Sequence, residues 1–109
     1  MKPILHKKEI EALSELKADL EKKHLFCWMK LIGSKARGDS DEESDIDVVI
    51  VLEQVDWQIE RNIFESCFYI GLRHDVVISP TVYAKPELDM PLTRITPFYL
   101  AVEAEGVLV

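Results

Sequence analysis

At 109 residues, 48 % of them apolar and 30 % charged, the chain is sized for one domain around one core and is too apolar to stay disordered. A formal net charge of −7 removes any general surface attraction for nucleic acid, so direct polynucleotide binding is not expected. No stretch approaches the roughly 20 apolar residues of a membrane helix, and the amino terminus lacks the apolar run of a secretory signal, so a cytoplasmic location is expected.

From Lys7 to Lys23, Ile10, Leu13, Leu16 and Leu20 recur every three or four residues among charged ones, which predicts a helix with one face to bury. "LFCWMKLI", from Leu25, is a short and nearly unbroken apolar run ending at Gly33, as a buried strand would be. "DIDVVIVLE", from Asp45, is dense in β-branched residues and predicts a central second strand. Asp56 is placed to cap a second helix whose apolar stripe is Ile59, Ile63, Phe64, Cys67, Phe68 and Ile70, with Gly71 near its end. "RHDVVISP" predicts a third strand stopped by Pro80, and "AKPELDMP", Ala84 to Pro91, reads as a loop around two prolines. Thr96 and Pro97 are an N-cap and first helical residue for a last helix reaching Gly106, and Val107 to Val109 form an apolar tail that must pack on the domain or on a partner. The order predicts a single α/β or α+β domain over residues 1–109, a small mixed β-sheet flanked by helices. Cys27 and Cys67, without CxxC or Cys/His spacing, read as buried thiols; Trp28 and Trp57 are expected in the core, with a partner surface also open to Trp57.

The connection between the first two strands, "GSKARGDSDEESDID" from Gly33 to Asp47, carries the chemistry. Side chains alternate along a strand, so Asp45 and Asp47 project to one face and Ile46, Val48 and Ile50 to the other. Two like charges side by side are unfavourable unless a cation sits between them, and Mg²⁺, which takes carboxylates, water and phosphate oxygens, fits. A solvated acidic loop running into an edge strand is the plainer alternative. Asp75 opens the apolar "VVIS"; level with Asp47 on a neighbouring strand it would complete three carboxylates able to hold two cations around a triphosphate. Gly33 would let a phosphate approach the backbone, while Ser34 could cap a short helical turn and donate its hydroxyl. No P-loop and no GxGxxG is present.

Gly33-Ser34, ten residues, then Asp45-Ile46-Asp47 resembles the G-S-x10-D-x-D signature of the DNA polymerase beta-like nucleotidyltransferase superfamily. "GSKARG", "SDIDVVIV" and "TPFYLAVEAEGVLV" are similar to the elements of its small prokaryotic branch, the minimal nucleotidyltransferases. The resemblance implies the polymerase beta-like fold. It also implies Asp45 and Asp47 as metal ligands, Asp75 as third ligand or general base, and Gly33 and Ser34 on the nucleotide phosphates. Arg37 stands at a variable position, open either to phosphate or to pairing with nearby acids, and the acids Asp39, Asp41, Glu42 and Glu43 depart from what a triphosphate site invites. The implied reaction moves AMP from ATP, with two Mg²⁺ ions, onto an acceptor hydroxyl. The implied acceptor is a tyrosine of a HEPN-type helical toxin, for which such a protein serves as antitoxin. Two alternatives remain: a module that neutralises its partner by contact alone, and an antibiotic-modifying transferase, which the lack of an acceptor domain disfavours.

Overall fold

In the computed structural model, which describes residues 5–38 and 44–109, six helices and four strands follow one another along these residues. The acidic run Asp39, Asp41, Glu42 and Glu43 lies outside the described residues. Helix α1 (Lys7–Lys23) leads into strand β1 (Phe26–Ile32), the short helix α2 (Gly33–Arg37) and strand β2 (Ile46–Leu52). Helix α3 (Trp57–His74) crosses over to strand β3 (Ile78–Ala84), followed by α4 (Lys85–Leu88), α5 (Pro91–Arg94), α6 (Pro97–Glu105) and strand β4 (Val107–Leu108). The sheet order is β3-β2-β1-β4, with β2 and β3 parallel and the other pairs antiparallel. This is the small mixed sheet flanked by helices that the element order predicts. No helix among the described residues is long and apolar enough to cross a membrane.

Alternation along β2 sorts the two faces of the sheet. Ile46, Val48 and Ile50 join Met29 and Leu31 of β1, and this face is covered by Ala12, Leu13, Leu16 and Leu20 of α1 and by Ile63, Cys67 and Ile70 of α3. Val49 and Val51 point the other way, beneath Leu88 of α4 and Val102 of α6. Burial pushes the Cys67 thiol up to about 12, whereas Cys27 is only half-buried, with its Sγ 3.3 Å from Glu53 Oε1.

Several sequence expectations need correction. Ile10 is exposed because Glu9 occupies the inward turn of α1, and Phe64, Phe68 and Trp57 lie on the outer side of α3. That helix runs to His74, three residues past Gly71, which lies near its end as expected; Gly71 also serves a close approach, since a Cβ there would meet the Val76 carbonyl oxygen at 2.6 Å. The third strand therefore begins at Ile78 and holds Pro80 within it, which an edge strand tolerates. The expected loop from Ala84 to Pro91 holds α4 and the start of α5, each opening on a proline in its first turn. At α6, Thr96 Oγ1 accepts the Tyr99 N–H as the cap motif requires, and the apolar tail packs as a short strand against Lys30 and Leu31.

One ion pair ties α1 to α2. Lys35 Nζ lies 2.6 Å from Glu9 Oε2, and both side chains are almost wholly buried. Glu9 Oε1 also accepts the His6 N–H at 2.8 Å, closing the first turn of α1. Burial works to raise the Glu9 pKa, but the bonds from Lys35 and His6 prevail and hold it below the usual value. A depressed carboxyl contributes stability above its unfolded pKa and loses it as pH falls through the folded one. Lys35→Met should cost about 3 kcal/mol or more, because Glu9 is left charged and buried, and Glu9→Leu added to it should restore much of the loss. Urea unfolding of the two variants at neutral pH checks this; equal stabilities would show that the pair is not coupled.

Candidate active site

The site lies where β1 ends and β2 begins. In the antiparallel ladder Ile32 stands opposite Asp47, so the residue after Ile32 turns directly beside that carboxylate. Gly33 does so with a φ of +73, and a Cβ built on it would sit 2.7 Å from Asp47 Oδ2. Only glycine fits both the left-handed backbone and the space. Ser34 follows inside α2; the N-cap of that helix is Ile32, so Ser34 is not the cap expected of it. Gly38, at a φ of 80, ends the turn with its N–H on the Ser34 carbonyl.

Asp45 immediately precedes β2 and is exposed, while Asp47 is half-buried within it. The Asp47 carboxyl is pushed up from its ordinary value by burial first and by the neighbouring charge of Asp45 second. Those two causes describe a pair that a hard cation would relieve, and the absence of a Cβ at Gly33 is what lets the Asp47 carboxylate lie against the turn. The donor set therefore fits Mg²⁺.

Asp75 is not brought to this pair. It is the C-cap residue of α3, in the left-handed conformation at φ 57, and belongs to the layer of α1 and α3 on the opposite face of the sheet. Its carboxylate lies 3.7 Å from Lys8 Nζ. The β3 residue level with Asp47 in the parallel ladder is Ser79, four residues further on. Among the described residues no three carboxylate, histidine or thiol groups converge to hold a metal ion. Arg37 has its Nη1 at 3.4 Å from Glu105 Oε2, at the end of α6.

Sequence reasoning missed Ser79, Lys35 and Glu9. Ser79 could have been found only with the strand register in hand. The pairing of Glu9 with Lys35 left one weak signal, a glutamate in the centre of the apolar face of α1.

The sequence profile of the nucleotidyltransferase domain family matches residues 11–81. A protein of Methanocaldococcus jannaschii named "Putative protein adenylyltransferase MJ0141" is 38 % identical over 79 residues, covering 70 % of this chain and 80 % of its own length.

Two substitutions probe the geometry. The folded chain holds the Asp47 proton more tightly than the unfolded one, so the charged carboxylate costs stability at neutral pH, and that cost disappears as pH falls through the raised pKa. Asp47→Asn should therefore be more stable than the parent at pH about 7 in the absence of metal, with an advantage that shrinks on acidification. Urea titrations at the two ends of this range decide it, and an advantage that grows in acid would reverse the assignment. Gly33→Ala should cost at least about 1 kcal/mol from the left-handed backbone alone. It should also weaken the thermal stabilisation given by Mg²⁺, because the added methyl displaces Asp47; unchanged stabilisation by the ion would separate Gly33 from the site.

Proposed function

Because the chain belongs to the nucleotidyltransferase domain family, which matches residues 11–81, we propose that it transfers AMP from Mg²⁺-ATP to a hydroxyl on a partner protein. The observation that carries this reading is the Gly33–Asp47 contact, which sets a backbone turn able to approach phosphate against a carboxylate pair able to hold a cation. Asp45 and Asp47 are the proposed metal ligands, and Gly33 and Ser34 the proposed phosphate contacts. A bound Mg²⁺ would neutralise charge developing on the phosphate oxygens. The acceptor oxygen forms a bond to the α-phosphorus as the bond to the bridging oxygen breaks, pyrophosphate leaves, and the acceptor proton passes to water beside the exposed Asp45. Arg37 is committed in part to Glu105 and is not needed for this scheme.

The name of the M. jannaschii relative supports a protein acceptor. A HEPN-type helical toxin, modified on tyrosine, is the partner proposed, with this chain as its antitoxin; the net charge of −7 suits a basic, RNA-handling partner. One observation favours a second reading, neutralisation by contact with little or no transfer: Ser79, not a carboxylate, stands level with Asp47.

Intact-mass spectrometry of a co-expressed helical partner separates the two. An added AMP mass that disappears with Asp45→Asn is the expected result. A stable complex whose partner gains no mass supports the contact reading.

A further inference from the structure

Strand β3 carries a hydroxyl at the level of the candidate site. Ile78 is buried beneath α1 and α3, so alternation turns Ser79, Thr81 and Tyr83 to the opposite face, the one that carries Asp47. Ser79 is level with Asp47 in the parallel ladder and is exposed, on the strand that ends the sheet.

Three groups thus stand at one level across the sheet: the Gly33 turn after β1, Asp47 on β2 and Ser79 on β3. With neighbouring strands about 4.8 Å apart, Ser79 and the turn lie on opposite sides of Asp47, about 10 Å from each other. Displacement at phosphorus requires the attacking oxygen and the leaving oxygen to be in line, on opposite sides of the phosphorus atom. A phosphate held over Asp47 has its two sides occupied in that way.

On the basis of the AMP transfer proposed above, we infer that Ser79 is itself an acceptor: the chain adenylylates its own Ser79 hydroxyl within one molecule. With the terminal phosphates on Gly33 and Ser34, pyrophosphate leaves toward β1 and attack comes from β3. Ser79 Oγ forms a bond to the α-phosphorus, the bond to the bridging oxygen breaks, pyrophosphate takes the electron pair, and the hydroxyl proton passes to solvent water. One strand spacing is short enough for a serine side chain to come within the roughly 3–3.5 Å from which such attack occurs. The product is a serine–AMP phosphodiester at the edge of the sheet, where the acceptor of a partner would otherwise enter. A chain modified there is closed to that partner.

The other hydroxyls near the site are placed wrongly for this step. Ser34 lies in α2, on the side of the leaving pyrophosphate. Ser44 lines a cavity with Lys8, Gly71 and Asp75, on the side of α1 and α3. Thr81 is level with Val49 and Tyr83 with Val51, about 7 Å and 13 Å further along β3 than Ser79.

The test incubates the purified full chain with Mg²⁺ and ATP, then reads its intact mass, its thermal stabilisation and, by peptide fragmentation, the labelled residue. One adenylyl group per chain on Ser79 is expected. It is lost in Asp45→Asn and in Ser79→Ala, and kept in Ser79→Thr, which retains a hydroxyl, and in Thr81→Ala; circular dichroism confirms the fold of each. Within one molecule, the rate constant of labelling is independent of protein concentration, and an Asp45→Asn chain mixed with active Ser79→Ala chain stays unlabelled. Label on Ser34, Thr81 or Tyr83, or transfer to the inactive chain, overturns the inference. So does a chain that is stabilised by Mg²⁺ and ATP, and labels a co-expressed partner, yet gains no mass itself; AMP transfer to the partner then stands without self-modification. A chain that shows neither stabilisation nor label on any protein overturns both.

Discussion

The contact between the Gly33 backbone and the Asp47 carboxylate is the constraint on which the candidate site depends. It exists because the β1–β2 register sets Ile32 opposite Asp47 and the chain must turn at the next residue. A slip of one residue would rotate Asp47 into the layer of α1 and α3 and expose Val48 and Ile50. The burial of those side chains therefore holds the acid pair in place, and the raised pKa of Asp47 records the electrostatic cost of doing so. Stability at this end of the sheet comes from the apolar face, and chemical potential from the polar one.

The buried pair of Glu9 and Lys35 extends the same constraint. Five residues of helix have little stability of their own, so α2 keeps its orientation only through what it is tied to. Lys35 ties it to the first turn of α1, which is itself closed by the other oxygen of Glu9. The turn that carries Gly33 and Ser34 is thus fixed at one end by strand pairing and at the other by a desolvated ion pair. An apolar pair could stabilise as much, but a charge pair has one satisfactory geometry.

What was legible in the sequence follows from which signals are local. The α1 and α6 helices, β1, β2 and the Gly33-Ser34 to Asp45-Asp47 spacing all rest on periodicity, caps or short intervals, and the structure has these elements. The third strand starts at Ile78 and not at Arg73 because α3 continues three residues past Gly71, which lies near the helix end and also packs on Val76; Pro80 reads as a stop and sits inside an edge strand. Phe64 and Phe68 were counted into the core because the apolar residues of α3 span more than the face a sheet can cover. The partner of Lys35 is 26 residues away, beyond any local pattern.

The displacement of Asp75 is a property of the fold and not of one rotamer. Bringing it level with Asp47 would require β3 to slide by four residues, about 13 Å along the sheet. Such a slide keeps the face of each side chain, because four is even, but it would draw Ile78 out of the core and unwind the last turn of α3. The helix cap at Asp75, with its N–H on the Gly71 carbonyl, opposes that movement, as does the full ladder from Ile46–Ile78 to Leu52–Ala84. The carboxylates available beside the turn, among the described residues, are therefore those of Asp45 and Asp47. In the reading proposed for this chain, two carboxylates and a glycine turn suffice to hold a cation and phosphates. In that reading the alignment of the acceptor hydroxyl depends on how the proposed partner docks, while Ser79 level with Asp47, where a third carboxylate would stand, is what this domain itself contributes to the balance between transfer and simple neutralisation.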